Sequence, residues 1–78
     1  MSGYWRYATK IGVFSIMQNR DGRWHATFED GSLGSYHSPQ AALEDLVGGH
    51  VDFPDSSVDT SALGLPDELS EWEAVRAK

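Results

Sequence analysis

Between Tyr4 and Glu29 the apolar positions recur at every second residue, the pattern of strands that bury one face and expose the other. Trp5 and Tyr7 alternate with Tyr4 and Arg6, and Phe14 and Ile16 with Val13, Ser15 and Met17. Trp24, Ala26 and Phe28 alternate with Arg23, His25, Thr27 and Glu29. Strands sharing one aromatic face follow from this spacing. Thr9 to Gly12 turns the first strand into the second. The run Asn19 to Gly22 (N-R-D-G) is a stronger hairpin signal, because its glycine accepts the positive φ that tight turns demand. Asp30-Gly31 marks another hairpin, leading into a short fourth strand from Leu33 to Tyr36.

At Ser38 the period changes. A serine oxygen can accept from the free N–H groups of a first helical turn, and Pro39 has no N–H to leave unpaired and a φ already set for helix. Ala42, Leu43, Leu46 and Val47 make an apolar stripe, and Gly48-Gly49 permits a left-handed exit. A helix this short does not persist alone, so the stripe belongs on the aromatic sheet face. From His50 to Leu65 no period is sustained, and Val51, Phe53, Val58 and Leu63 are the residues expected to pin a long loop to the domain. Leu65, Leu69 and Trp72 then return to helical spacing, with Pro66 or the S-x-x-E pair Ser70 and Glu73 as alternative starts.

The expected fold is therefore α+β: a three- or four-stranded antiparallel β-meander over 4–36, with a helix over 38–48 packed on one face. A packed loop over 49–65 and a short C-terminal helix over 66–76 complete a single domain of 78 residues.

Composition narrows the function classes. A domain of this size has little core to spare, and it contains no cysteine, so disulfides and thiolate metal sites are excluded. Aromatic residues supply the missing burial. No apolar run reaches the length of a membrane span, and the first ten residues lack a signal-peptide pattern, so a cytoplasmic location is expected. The net charge of −6 is unevenly placed. Residues 1–37 carry four cations against three carboxylates, whereas residues 38–78 carry two cations against nine carboxylates. That asymmetry suits either a solvated face or a basic partner.

The segment from Leu33 to Gly49 gathers Ser35, Tyr36, His37, Ser38, Glu44 and Asp45, the groups of a hydrolase. Tyr36, His37 and Ser38 are nonetheless chain neighbours entering a turn, where adjacent side chains diverge, and no G-x-S-x-G elbow occurs. The stretch reads as a joint between sheet and helix. His25, His37 and His50 lack the short spacing of a metal site, and Asp52, Asp55 and Asp59 miss the calcium-loop pattern. Neither phosphate-binding glycine motif is present, so no cofactor and no metal are expected.

What remains is surface. If the aromatic face is buried, the opposite face shows Tyr4, Arg6, Val13, Met17, Arg23 and His25, a mixed basic and apolar set suited to a protein partner or a homodimer. Nucleic acid is a poor fit, because few rings there can stack on bases and the acidic half repels a strand. A rival surface is the acidic one, with Asp52, Asp55, Asp59, Glu68, Glu71 and Glu73, as an imitation of nucleic acid that would occupy a basic groove. A small enzyme or ligand carrier would rest on His37 or His50.

The strings YWRYATKIGVFSI, DGRW, LGSYHSPQAALEDLV and LPDELSEW together resemble a group of short proteobacterial proteins of unknown function. The resemblance spans nearly the whole chain and implies a self-contained domain, with no catalytic residues attached to it. The function expected is thus a small non-enzymatic, protein-binding accessory or regulatory module.

Overall fold

A computed structural model describes residues 3–29, 31–51, 53 and 58–76 and shows an α+β fold. Five antiparallel strands, β1 (Gly3–Thr9), β2 (Gly12–Gln18), β3 (Trp24–Phe28), β4 (Gly31–Tyr36) and β5 (Glu73–Arg76), form one sheet in the order β4-β3-β2-β1-β5. One helix, α1 (Pro39–Gly48), packs over β2, β3 and β4. No helix among the described residues is long and apolar enough to cross a membrane.

The alternation read from the sequence decides which side chains meet. Trp5 stands opposite Ile16 and Tyr7 opposite Phe14, while Phe14 and Ile16 stand opposite Phe28 and Ala26. Opposed residues share a face, so these side chains line the inner side of the sheet. Phe14, Ile16 and Ala26 are fully buried there. The Phe14 ring lies 4.8 Å from Phe28 and 6.2 Å from Phe53, which joins the central strands to the loop. Gly22 closes the second hairpin with φ 80.

The Ser38 hydroxyl accepts from the Ala41 N–H at 3.1 Å and Pro39 opens α1, as the sequence predicts. Gly49 ends the helix in the left-handed region, φ 78, with its N–H directed to the carbonyls of Asp45 and Leu46. Ala42, Leu43 and Leu46 are wholly buried on the inner sheet face. Each such leucine contributes about 1.5–3 kcal/mol of transfer free energy, far more than helix propensity supplies over so few residues. The loop is fastened at Thr60, whose hydroxyl donates to the Leu46 carbonyl at 2.7 Å from a buried position.

Two features depart from the sequence reading. β4 begins at Gly31 and contains a bulge: Ala26 faces Gly34 but Thr27 faces Ser32, so Leu33 is the extra residue and enters the core. The larger departure is at the C-terminal end, where the expected helix over 66–76 is absent. Leu69–Glu71 makes a single 3-10 turn, Trp72 is extended at φ −88 and ψ 156, and Glu73–Arg76 is a strand. Glu73, the expected capping-box residue, instead stands opposite Arg6 in the β1 ladder. Without β5, β1 would be an open edge; pairing satisfies its backbone along four residues, whereas a lone short helix gains only one apolar stripe. Trp72 is 4% exposed, lies against Tyr7 at 5.7 Å and donates its indole N–H to the Pro66 carbonyl at 2.9 Å.

Candidate functional site

With α1 on the inner face, the other side of the sheet has no described element over it. Strand parity puts Tyr4, Arg6, Val13, Met17, Arg23 and His25 on that outer side. Register arranges them in rows across the strands. Val75 is opposite Tyr4, Met17 opposite His25 and His25 opposite Ser35; one step back from the Trp5–Ile16 pair places Tyr4 beside Met17. The neighbouring row runs Glu73, Arg6, Ser15, Thr27, Ser32. Its middle is made of the short side chains of Ser15 and Thr27, set between longer neighbours. Ser15 and Thr27 are each only 8% exposed, shielded by those neighbours, and the Thr27 hydroxyl donates to the Ser15 carbonyl at 3.3 Å.

Two corners of the outer face are charged. Arg6 Nε lies 3.6 Å from Glu73 Oε1, a half-exposed pair whose geometry is too long for a hydrogen bond and whose contribution to stability is small. At the opposite corner the Arg23 guanidinium donates to Ser35, from Nε to Oγ at 2.9 Å and from Nη2 to the carbonyl at 3.2 Å. His25, whose side chain is 13% exposed, is held from both nitrogens. Its Nε2 lies 3.3 Å from Asp21 Oδ2 and its Nδ1 lies 2.9 Å from Ser32 Oγ.

Asp21 fixes the sense of this relay. The Arg23 backbone N–H donated to Asp21 Oδ1 at 2.9 Å holds the carboxyl below its ordinary value, with His25 and Arg23 adding to the effect against desolvation. An ionised Asp21 accepts from Nε2–H, which leaves Nδ1 facing Ser32 Oγ, while the Ser32 hydroxyl donates to the Gly34 carbonyl at 3.5 Å. Ser32, His25 and Asp21 thus form a chain of polar contacts whose two end residues, Ser32 and Asp21, are both exposed. The sequence reading weighed such groups between Ser35 and Asp45 and took that stretch as a joint; the signal for the Asp21–His25 contact was their spacing across a hairpin, which is indistinguishable from turn chemistry.

The residues of the rival readings are scattered. His37 and His50 are both exposed and flank opposite ends of α1. Asp59 caps the 3-10 turn Thr60–Ala62: its Oδ1 accepts from the Ser61 N–H at 3.0 Å and hydroxyl at 2.6 Å, and these bonds lower its pKa. Glu68 accepts from the Ser70 hydroxyl at 3.4 Å, Glu71 lies in the turn Leu69–Glu71, and Glu73 sits on the outer face beside Arg6. Asp52 and Asp55 lie outside the described residues. No three of the described His, Asp and Glu residues gather as a metal site. Comparison with protein-family models, curated proteins and solved structures gave no match for the chain.

Proposed function

We propose that this is a protein-binding module whose contact surface is the outer face of the sheet. The observation that carries the reading is an outer sheet face with no described element over it that bears an apolar row, Val75, Tyr4 and Met17. An apolar anchor from a partner fits against Tyr4 and Met17, and the guanidinium groups of Arg6 and Arg23 at two corners of the face set its register. A few apolar contacts dominate such a surface, so salt weakens it only mildly.

The test is capture from an extract by the immobilised protein, run beside two variants. Tyr4→Ser with Met17→Ser is expected to lose the captured protein, while Glu68→Gln with Glu71→Gln retains it. The reverse pattern, with competition by duplex DNA, supports the acidic imitation of nucleic acid instead. The Ser32–His25–Asp21 relay favours a second reading, acyl transfer, in which Ser32 Oγ attacks an activated ester carbonyl, its proton passes to His25, and the alcohol leaves with that proton. Mass spectrometry after incubation with p-nitrophenyl acetate distinguishes the two: binding alone predicts no acetyl group on Ser32.

A further inference from the structure

Two of the three indoles are left half-buried by the fold. Trp5 and Trp24 stand with ring centroids 5.8 Å apart and planes tilted by 46°. α1 packs over β2, β3 and β4, and Trp72 lies against Tyr7, so the inner face is covered chiefly away from the Gly3 end of β1. A groove of about 430 Å³ opens at that end, bordered by both indoles. Register shapes it. Ala74 stands opposite Trp5 and Gly3 opposite Arg76, so each long side chain on this face is paired with a very short one. Gly3 is confined to that role, because a Cβ there would lie 2.8 Å from the Val75 carbonyl oxygen.

Charge then says what fits. Residues 38–78 carry nine carboxylates against two cations, yet among the described residues no carboxylate borders the groove and Arg76, one of the two cations, does. Glu73, the carboxylate of the same strand, lies on the outer side beside Arg6, and Arg76 has no ion pair among the described residues.

We propose that this groove binds a small ligand made of a flat aromatic ring and a carboxylate, with the ring on the Trp5 and Trp24 indoles and the carboxylate on the Arg76 guanidinium. The site is separate from the outer-face contact surface. Its volume lies in the range of small-molecule pockets, about 300–1,000 Å³. The indoles offer flat apolar area on which a ring stacks, and a guanidinium meets a carboxylate through two parallel N–H donors. Gly3 and Arg76 lie two residues along the strands from Trp5 and Ala74, about 7 Å, which one ring with a short acidic arm spans. An organic cation is also drawn to indole faces, but Arg76 repels it. A neutral sugar covers the indoles and leaves the guanidinium without a counter-charge.

Titration of the whole chain with indole-3-acetate, followed by the indole N–H signals in a nitrogen-15 correlation spectrum, tests this. Trp5 and Trp24 are expected to shift saturably, with a dissociation constant of about 1 mM or below, while Trp72, held to the Pro66 carbonyl, stays in place. Indole-3-acetamide, the same shape without the charge, binds about tenfold more weakly, and Arg76→Gln erases that difference. Ala74→Leu, at an exposed position, fills the groove and abolishes binding with the Trp72 signal unmoved. Equal binding of acid and amide to the parent overturns the proposal, as does saturation by cellobiose but not by the acid. Shifts of Trp5 and Trp24 that persist in Ala74→Leu, or none up to about 10 mM acid, overturn it too. Each of these results leaves the outer-face reading untouched, since Tyr4→Ser with Met17→Ser is expected to bind the acid as the parent does.

Discussion

Trp72 is where the C-terminal segment changes from turn to strand, and its removal measures what holds β5 in place. The indole is 4% exposed, lies 5.7 Å from the Tyr7 ring and donates to the Pro66 carbonyl at 2.9 Å. Truncation of a buried tryptophan to alanine costs about 3–5 kcal/mol, against a stability of about 4–12 kcal/mol for a domain of this length. At about 4–8 °C per kcal/mol, Trp72→Ala lowers Tm by about 12–40 °C. Trp72→Phe keeps a ring against Tyr7 but leaves the carbonyl without its donor, a loss of about 1–3 kcal/mol. Trp5 and Trp24 remain as fluorophores, so thermal and urea unfolding followed by emission reads both variants. A Trp72→Ala protein melting within a few degrees of the parent refutes the assignment of Trp72 to the core and with it the anchoring of β5.

Ser38→Ala removes the α1 cap and is expected to cost about 1 kcal/mol in urea unfolding, with unchanged slope. Gly49→Ala is worse than a simple loss of flexibility, because φ is 78 and the new methyl would meet Asp59 Oδ1 at 2.9 Å; Tm falls in a melt of the variant. Asp21 and Asp59 both have folded pKa values below the ordinary 3.8, so the unfolded chain binds more protons and stability falls as pH drops from that value through the lowered ones. Asp21→Asn with Asp59→Asn flattens the acid limb of a Tm-against-pH curve. At the other extreme, burial and then the Asp45 carboxylate raise the Tyr36 phenol, so stability present below pH 10 is lost above it, and Tyr36→Phe removes that alkaline slope.

Period-two spacing made β1 to β3 and their shared inner face readable, because burial on one side of a sheet leaves no other register for Trp5, Phe14, Ile16 and Ala26. Ser38, Pro39 and Gly49 marked α1 through backbone needs that act locally. The C-terminal strand was not readable: Leu65, Leu69 and Trp72 fit helical spacing, and what decides against the helix is the open edge of β1, a partner more than sixty residues away in the chain. Tertiary pairing overrode a local pattern. The same limit hid the Ser32–His25–Asp21 relay, whose members meet only after two hairpins close. Parity alone places the outer-face residues on one side, but the row that joins Val75, Tyr4, Met17 and His25 depends on register, which sequence does not supply.

Amide and methyl chemical-shift mapping tests most directly whether the outer sheet face receives a protein partner. On titration with the captured protein, the shifts are expected at Tyr4, Val13, Met17, His25 and Val75, with α1 and the turn Leu69–Glu71 unmoved. Shifts confined to α1 or to the acidic residues Asp59, Glu68 and Glu71, with the outer face silent, contradict it.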